Sequence, residues 1–592
     1  MLHNIFEMGG FMTERTGFKL SNFASKNAIK KLLLAAVVIG GTHHAQANTE
    51  LIDDLSERDY PLSLSGSYLA ALTANNSRDL SAAALYYDRA LEADPDNVAL
   101  IERAFILKLA DGDIDGSTKF TGTILEKDPQ NRFARLALGA IALKEKSFKK
   151  AAKEFNQIQE GPLARLTGAL LYAWTLAADK NFDEALESLD TLEGPEWYET
   201  FRLYHIGLIA EAAGNIELAD KNLKAAHEAD KNVLRTAEAY ARFQIRNDMA
   251  EEGKELVKQL TERVANRPSL DELNANIAED KKPKRLIMTT QQGAMEVLFG
   301  LGSAIGREGG EEISYVYLNL AAYLDPENAL PRLALGELLE ADERYQRAID
   351  NYDAISDTSV HKTNSIIRAA FAYNTLEKLE KARGIMLDLI KEQPDNLIAI
   401  SSYGNILRAH ELYDESREVY TRGIKQINAN PEPQHWGLYY SRGITNERTK
   451  RWEEAEADFR QALELSPDQP QVLNYLGYSF IDMGLNYEES IDMIKTAVRL
   501  RPNDAFIIDS LGWAYYKLKD YENAVLHLER AVEFRPQDPI LNDHLADAYW
   551  HVGRKLEAIF QWSHARDLDP EPENLEKIVK KIEVGYIEDK DG

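Results

Sequence analysis

Cysteine is absent from this 592-residue chain, which removes disulfide staples, thiol nucleophiles and every cysteine-based metal site at once. Without staples, stability must come from a large buried core. Basic residues are also scarce: 69 Lys and Arg stand against 97 Asp and Glu, a formal net charge of -28. That balance disfavours nucleic-acid backbones as partners, because phosphate binding needs clustered Lys and Arg. It promotes solubility and steers basic partners toward the surface. Long apolar runs are missing too: nothing after residue 47 approaches about eighteen consecutive apolar residues, so no membrane-crossing helix is expected there.

Motifs of catalysis are equally scarce. None of the histidines forms HExxH, since His410-Glu411 is followed by Asp414 where the second histidine is required, and no GxSxG elbow occurs. Asp111-Gly112-Asp113-Ile114-Asp115-Gly116 imitates the start of a calcium-binding loop. Its twelfth position is Gly122, where a bidentate glutamate is needed. Gly300-Leu301-Gly302 with Gly306 lacks the spacing and the preceding strand of a dinucleotide loop. The reading is therefore a non-enzyme with no catalytic residue, no metal and no cofactor. An enzyme whose site hides between structural units is the alternative of another class, and purified protein hydrolysing wall fragments or peptides unaided would reveal it.

What the chain does have is a ladder. Pro467, Pro502, Pro536 and Pro570 stand 35, 34 and 34 residues apart, and Gly443, Gly477, Gly512 and Ala546 lie 24 or 25 residues ahead of them. The small residue suits a close approach of two helices, and the proline stops the second helix because it has no N–H to continue it. This is the phase of a tetratricopeptide (TPR) repeat. Leu511, Gly512 and Tyr515 share one helical face, and Ala524, Leu528 and Ala531 share a face on the next. Two short helices cannot bury such faces alone, but stacked neighbours can.

Earlier copies use Ala83, Tyr87, Ala90 and Pro95, then Leu138-Gly139 with Ala151 and Phe155, then Ile206-Gly207 with Ala219 and Leu223. The repeat before Pro129 is degenerate, with Ser117 and Thr121 at the packing positions. Residues 48–268 are read as an N-terminal repeat block and 291–570 as a C-terminal block. Residues 269–290, of mixed charge and without a sustained apolar face, read as a linker or loop extension, and 571–592 as a capping helix with an acidic tail. The fold class is all-α: a right-handed TPR solenoid of about fourteen repeats.

Lys19, Lys26, Lys30 and Lys31 precede an apolar run from Leu32 to Gly41 and then Ala45-Gln46-Ala47, the layout of a cleavable signal peptide over 1–47. An apolar core of about ten residues is too short to span a bilayer. Removing that leader takes five basic and two acidic residues and moves the net charge from -28 to -31. Asn48 follows the expected cleavage point where a lipoprotein needs cysteine, so the expectation is a periplasmic protein without a lipid anchor.

On the inner helices of the last repeats, the face turned away from the second helix carries Tyr440, Asn474, Tyr478, Asp509, Trp513, Tyr516, Asp543, Asp547 and Trp550. Aromatics supply rigid contact area and aspartates pair with cations or backbone amides, so these nine are the expected peptide-binding groove. Tyr475-Leu476-Gly477-Tyr478, Asp509-Ser510-Leu511-Gly512-Trp513 and Asp543 to Trp550, with Phe560-Gln561-Trp562, resemble a TPR family of Gram-negative bacteria. The resemblance is clearest over residues 430 to 570. Its members include outer-membrane lipoprotein adaptors that bind a periplasmic carboxyl-terminal processing protease and present cell-wall hydrolases to it. That resemblance implies a scaffold or adaptor with protein partners, a protease and cell-wall hydrolases among them. Asn48 in place of a lipidated cysteine departs from the pattern. A scaffold for polysaccharide export or envelope assembly is the alternative within the same class.

Overall fold

The structure is a computed structural model that describes residues 63–264, 267–427 and 430–586; the leader expected over 1–47 lies outside them. Among the described residues the regular structure is thirty α-helices, with one 3-10 turn at Pro433–His435 and no strand. In chain order they read as fourteen pairs plus two single helices, Pro268–Ala278 and Pro572–Val584. The expected solenoid and its capping helix are both present.

One pair shows why the sequence folds this way. The Asp504 carboxylate accepts from the N–H groups of Phe506 and Ile507 and so starts the helix Ala505–Lys517. Lys519, at φ 63°, turns the chain, and Asp520 caps the partner helix Tyr521–Phe534 through the N–H of Asn523. Leu511, Ala524, Leu528 and Ala531 are all buried, Leu511 against Ile481 and Ile494 of the preceding pair and Ala531 against Ile508 and Leu541. A Cβ on Gly512 would stand 2.6 Å from Leu528 Cγ, a separation that requires movement. Gly512→Leu is therefore expected to destabilise by about 1 to 3 kcal/mol through overpacking. Urea unfolding checks it, and an unchanged midpoint would contradict the packing register.

The left-handed turn residue recurs at Arg78, Gly112, Lys146, Lys180 and Gly214, and again at Gly309, Glu343, Glu377 and Glu411. These steps are 34 residues each, so the turn is a second, independent ladder. It accounts for the Asp111–Gly116 segment. Gly112 is the turn residue, Asp113 pairs with Lys108 at 2.9 Å and caps the next helix through the N–H of Gly116, and Asp111 pairs with Arg347 at 2.6 Å. Two of its carboxylates are held by cations and arranged for a helix junction, not for a metal.

Contacts divide the described chain into two compact units, one ending at Met386 and the other beginning at Leu387. Within the first, the segment expected as a linker over 269–290 begins with the helix Pro268–Ala278, whose Leu270 and Leu273 pack with Val257 and Leu260. Two leucines three apart are enough apolar surface for one short helix, although they make no sustained stripe. The following pair, Thr290–Arg307 and Glu311–Leu324, also packs on the helices Val98–Asp111, Arg132–Lys144 and Pro162–Ala178.

Polar groups fix that fold-back. Arg103 donates to Glu312 at 2.6 Å, Asn319 Nδ2 donates to the carbonyl of Ala110 at 2.8 Å, and the hydroxyls of Thr167 and Tyr317 meet at 3.0 Å. Gly293 lies against the Trp174 ring, where a Cβ would collide. One core cluster consequently runs from Ala71 to Ala372, and the compact unit continues straight through residues 269–290.

Candidate functional site

In the second unit the inner helices of the last repeats are Trp436–Arg448, Pro470–Asp482, Ala505–Lys517 and Pro539–His551. Contacts join Pro470–Asp482 to Ala505–Lys517 and Ala505–Lys517 to Pro539–His551 directly. Side chains on their inner face therefore run along a continuous strip from repeat to repeat.

Asn474 and Tyr478 stand one turn apart at the head of this strip. Burial raises the Tyr478 pKa, with Asp509 and Asp482 adding to the effect. Asp509, itself buried, receives His544 Nδ1 at 3.0 Å on both oxygens. The Trp513 ring stacks on His544 at 4.0 Å and on Tyr516 at 4.6 Å, with Lys517 over its face at 5.6 Å. Tyr516 is buried and continues the aromatic run to the His551 ring, 5.2 Å away.

The far end of the strip is already occupied by the chain itself. Lys581, on the capping helix Pro572–Val584, donates to Asp543 at 2.9 Å and to Asp547 at 2.8 Å. Trp562 Nε1 donates to the other oxygen of Asp547 at 2.8 Å. Burial lowers the Lys581 pKa, but the charges of Asp547 and Asp543 outweigh it and hold the ammonium above its ordinary value. Burial likewise pushes Asp547 up, against the opposing charge of Lys581. Trp550 packs on Trp562 at 5.4 Å, with Lys555 over its ring at 4.8 Å, and Gly585 closes against it. Tyr586 meets His551 at 4.5 Å.

Asp509, Trp513 and Tyr516 are joined through His544 and His551, and Asp543 and Asp547 through Lys581. This face is not turned away from the second helices as expected: Tyr516 meets Tyr521 at 5.4 Å, and Asp547 and Trp550 meet Trp562 on the helix Lys555–Asp567. Tyr440 stands apart: its ring packs with Trp436 at 5.9 Å, Phe459 at 6.1 Å and Tyr475 at 6.1 Å, and burial pushes its pKa up to about 12. Sequence reasoning missed His544, Lys581 and Tyr586. His544 is one residue off the inner-face phase, and Lys581 lies on a helix read only for its apolar spacing. Among the described residues no group of three or more His, Asp or Glu is arranged to hold a metal, and no helix is long and apolar enough to cross a membrane.

The His544–Asp509 pair makes stability depend on pH. Burial lowers the His544 pKa, but Asp509, with Asp543 and Asp547 behind it, reverses this and raises it above 6.5. A histidine raised on folding contributes fully below its unfolded pKa, and the contribution is lost as pH rises through the folded value. The wild type is expected to lose stability from about pH 6.5 upward relative to His544→Gln. Parallel urea titrations at pH 6 and pH 8 check this, and an equal pH response in both proteins would contradict it.

Tetratricopeptide repeat family models match residues 436–469, 509–538 and 41–98. A TPR repeat-containing protein of Pseudomonas aeruginosa is 27% identical over 190 residues, which is 31% of this chain and 30% of the relative. Tetratricopeptide repeat protein 13 of Homo sapiens is 26% identical over 196 residues, 32% of this chain and 22% of the relative. The chain spans less than a third of the length of these two relatives. Among solved structures, the APC/C hetero-tetramer Cut9–Hcn1 matches with a TM-score of 0.38 and 15% identity, covering 90% of this chain and 98% of that one. Yeast Tom70 matches with a TM-score of 0.32 and 13% identity, covering 88% of this chain and 95% of that one.

Proposed function

We propose that the chain is a tetratricopeptide-repeat scaffold that holds a polypeptide partner along the inner strip of its last repeats. The observation that carries this reading is the Lys581 cradle: a cation delivered by a separate helix is held between Asp543 and Asp547, beside Trp562. The same chemistry, carboxylate beside aromatic, continues at Asp509, Trp513 and Tyr478 away from the capping helix. A partner segment bearing Lys or Arg with neighbouring aromatics matches it, and a chain of net charge -28 draws such segments in.

The test is a pulldown from envelope extract with wild type and with Tyr478→Ala plus Trp513→Ala. The expected result is a folded variant that loses the main partner of the wild type. Equal recovery by both proteins would exclude the strip.

The finer reading is a periplasmic adaptor that brings clients to a processing protease. It is supported by the Lys-rich, apolar, Ala-x-Ala layout of residues 1–47 and by the Tyr475–Tyr478, Asp509–Trp513 and Asp543–Trp550 runs. Mass spectrometry of the exported protein should find a chain starting at Asn48, and retention of residues 1–47 in the cytoplasm would contradict it. Purified chain should accelerate client cleavage by a carboxyl-terminal processing protease, and an unchanged rate would leave the scaffold without that role.

A further inference from the structure

In the unit ending at Met386, a cavity of about 400 Å³ opens where the fold-back pair meets the second and third repeats. Lys144, Tyr323, Arg332, Arg347, Asp111 and Asp350 give it polar walls, and Leu335, Leu339 and Ala322 give it an apolar floor. Its volume is within the usual range for small-molecule sites.

The cations on these walls are unequally satisfied. Arg347 is neutralised by Asp111 at 2.6 Å. Lys144 donates to the carbonyl of Tyr323 and lies 3.8 Å over that ring, and it has no carboxylate within ion-pair distance among the described residues. Arg332 has no ion pair at all among them, and its Nε is buried without a hydrogen-bond partner. Burial lowers the pKa of both, and no neighbouring charge offsets it for Arg332. Asp350 is engaged by Gln346 at 3.2 Å.

An uncompensated guanidinium in a partly desolvated cavity is costly, and in a chain with 97 acidic residues a counter-charge was readily available. The arginines that hold the fold together have one: Arg103 with Glu312, Arg235 with Glu296, Arg368 with Glu337. We propose that this cavity binds a carboxylate carried on a short apolar stem, with Arg332 and Lys144 as its charge contacts and Leu335 and Leu339 against the stem. A planar guanidinium suits a carboxylate fork. Asp111 and Asp350 on the same walls disfavour a multiply charged phosphate. The ligand is either a free small acid or the C-terminal residue of a peptide, since both present the same chemistry.

Calorimetric titration of the full chain tests this with N-acetyl-leucine, its neutral amide, a hexapeptide ending in leucine, and inorganic phosphate. The expected result is saturable binding of N-acetyl-leucine with Kd of roughly 1 mM or tighter. The amide and phosphate should not bind, and Arg332→Gln should bind about tenfold more weakly or worse. Tighter binding of the hexapeptide assigns the site to peptide C-termini, and its exclusion assigns it to free acids. Ligand-free Arg332→Gln should melt at or above the wild-type temperature, because the lost charge has no partner. Lys144→Gln gives a second reading if that variant does not fold. No saturable binding to the wild type, binding unchanged by both substitutions, or a clear loss of stability in ligand-free Arg332→Gln would overturn the assignment.

Discussion

Glu296→Leu should lower the stability of the unit ending at Met386 by about 3 kcal/mol. Glu296 is buried and accepts from Arg235 Nε at 2.8 Å, from Arg235 Nη2 at 2.7 Å and from the Tyr204 hydroxyl at 2.9 Å. Burial pushes the carboxyl pKa up, but the Arg235 charge and hydrogen bonds, joined by the Tyr204 hydroxyl, reverse this and keep it ionised. Among the described residues, replacement leaves Arg235 with only Glu238 as an ion-pair partner, at 3.4 Å, and leaves the Tyr204 hydroxyl without the carboxylate it donates to. Leucine adds apolar contact worth about 1 kcal/mol, so the desolvated cation decides the sign. Removing both partners in Glu296→Leu plus Arg235→Leu should recover much of the loss, since apolar replacement of a whole buried pair is near neutral. Urea unfolding followed by Trp174 fluorescence reports on this region, because that indole donates to His205 at 3.0 Å beside the network. A single-variant loss under about 1 kcal/mol would show that the fold-back does not depend on this ion pair.

Lys581→Glu should detach the capping helix. The new carboxylate would stand between Asp543 and Asp547, replacing two charge-assisted hydrogen bonds by like-charge repulsion in a largely buried site. The expected loss in the local opening free energy is on the order of 3 kcal/mol. Hydrogen exchange of residues 572–586 should accelerate by about a hundredfold, while residues 290–324 keep their wild-type protection. Lys581→Met, which keeps the apolar stem and removes the charge, should fall between the two. Unchanged protection of 572–586 in Lys581→Glu would mean that apolar contacts around Ile578 alone hold the helix.

The repeats were legible because their signal is local. Gly443 faces Phe459 as Gly512 faces Leu528, each pair 16 residues apart, and a Cβ on either glycine would stand 2.6 Å from its partner. A 34-residue window contains everything such a pair needs. The fold-back was not legible for the opposite reason. Arg103 with Glu312 and Ala110 with Asn319 are each 209 residues apart, and nothing in the spacing of a lone arginine or asparagine announces its partner. At the inner strip, the phase of Trp513 and Asp509 could be read from helix periodicity. The place of Tyr440 could not, because Trp436 and Tyr475 supply an aromatic cluster that draws its ring away. Lys581 was hidden by its helix: Leu575, Ile578 and Ile582 give a cap its apolar face, and the lysine between them reads as solvated until Asp543 and Asp547 are seen opposite.

Site-specific photo-crosslinking in the native cell most directly tests whether the inner strip of the last repeats grips another polypeptide. A photoreactive residue at Trp513 on the strip is compared with one at Leu526, which is exposed on the neighbouring helix. A discrete protein adduct is expected from position 513, lost with Asp509→Asn and absent from position 526. Adducts of equal yield from both positions, or none from 513 while 526 captures a partner, would contradict it.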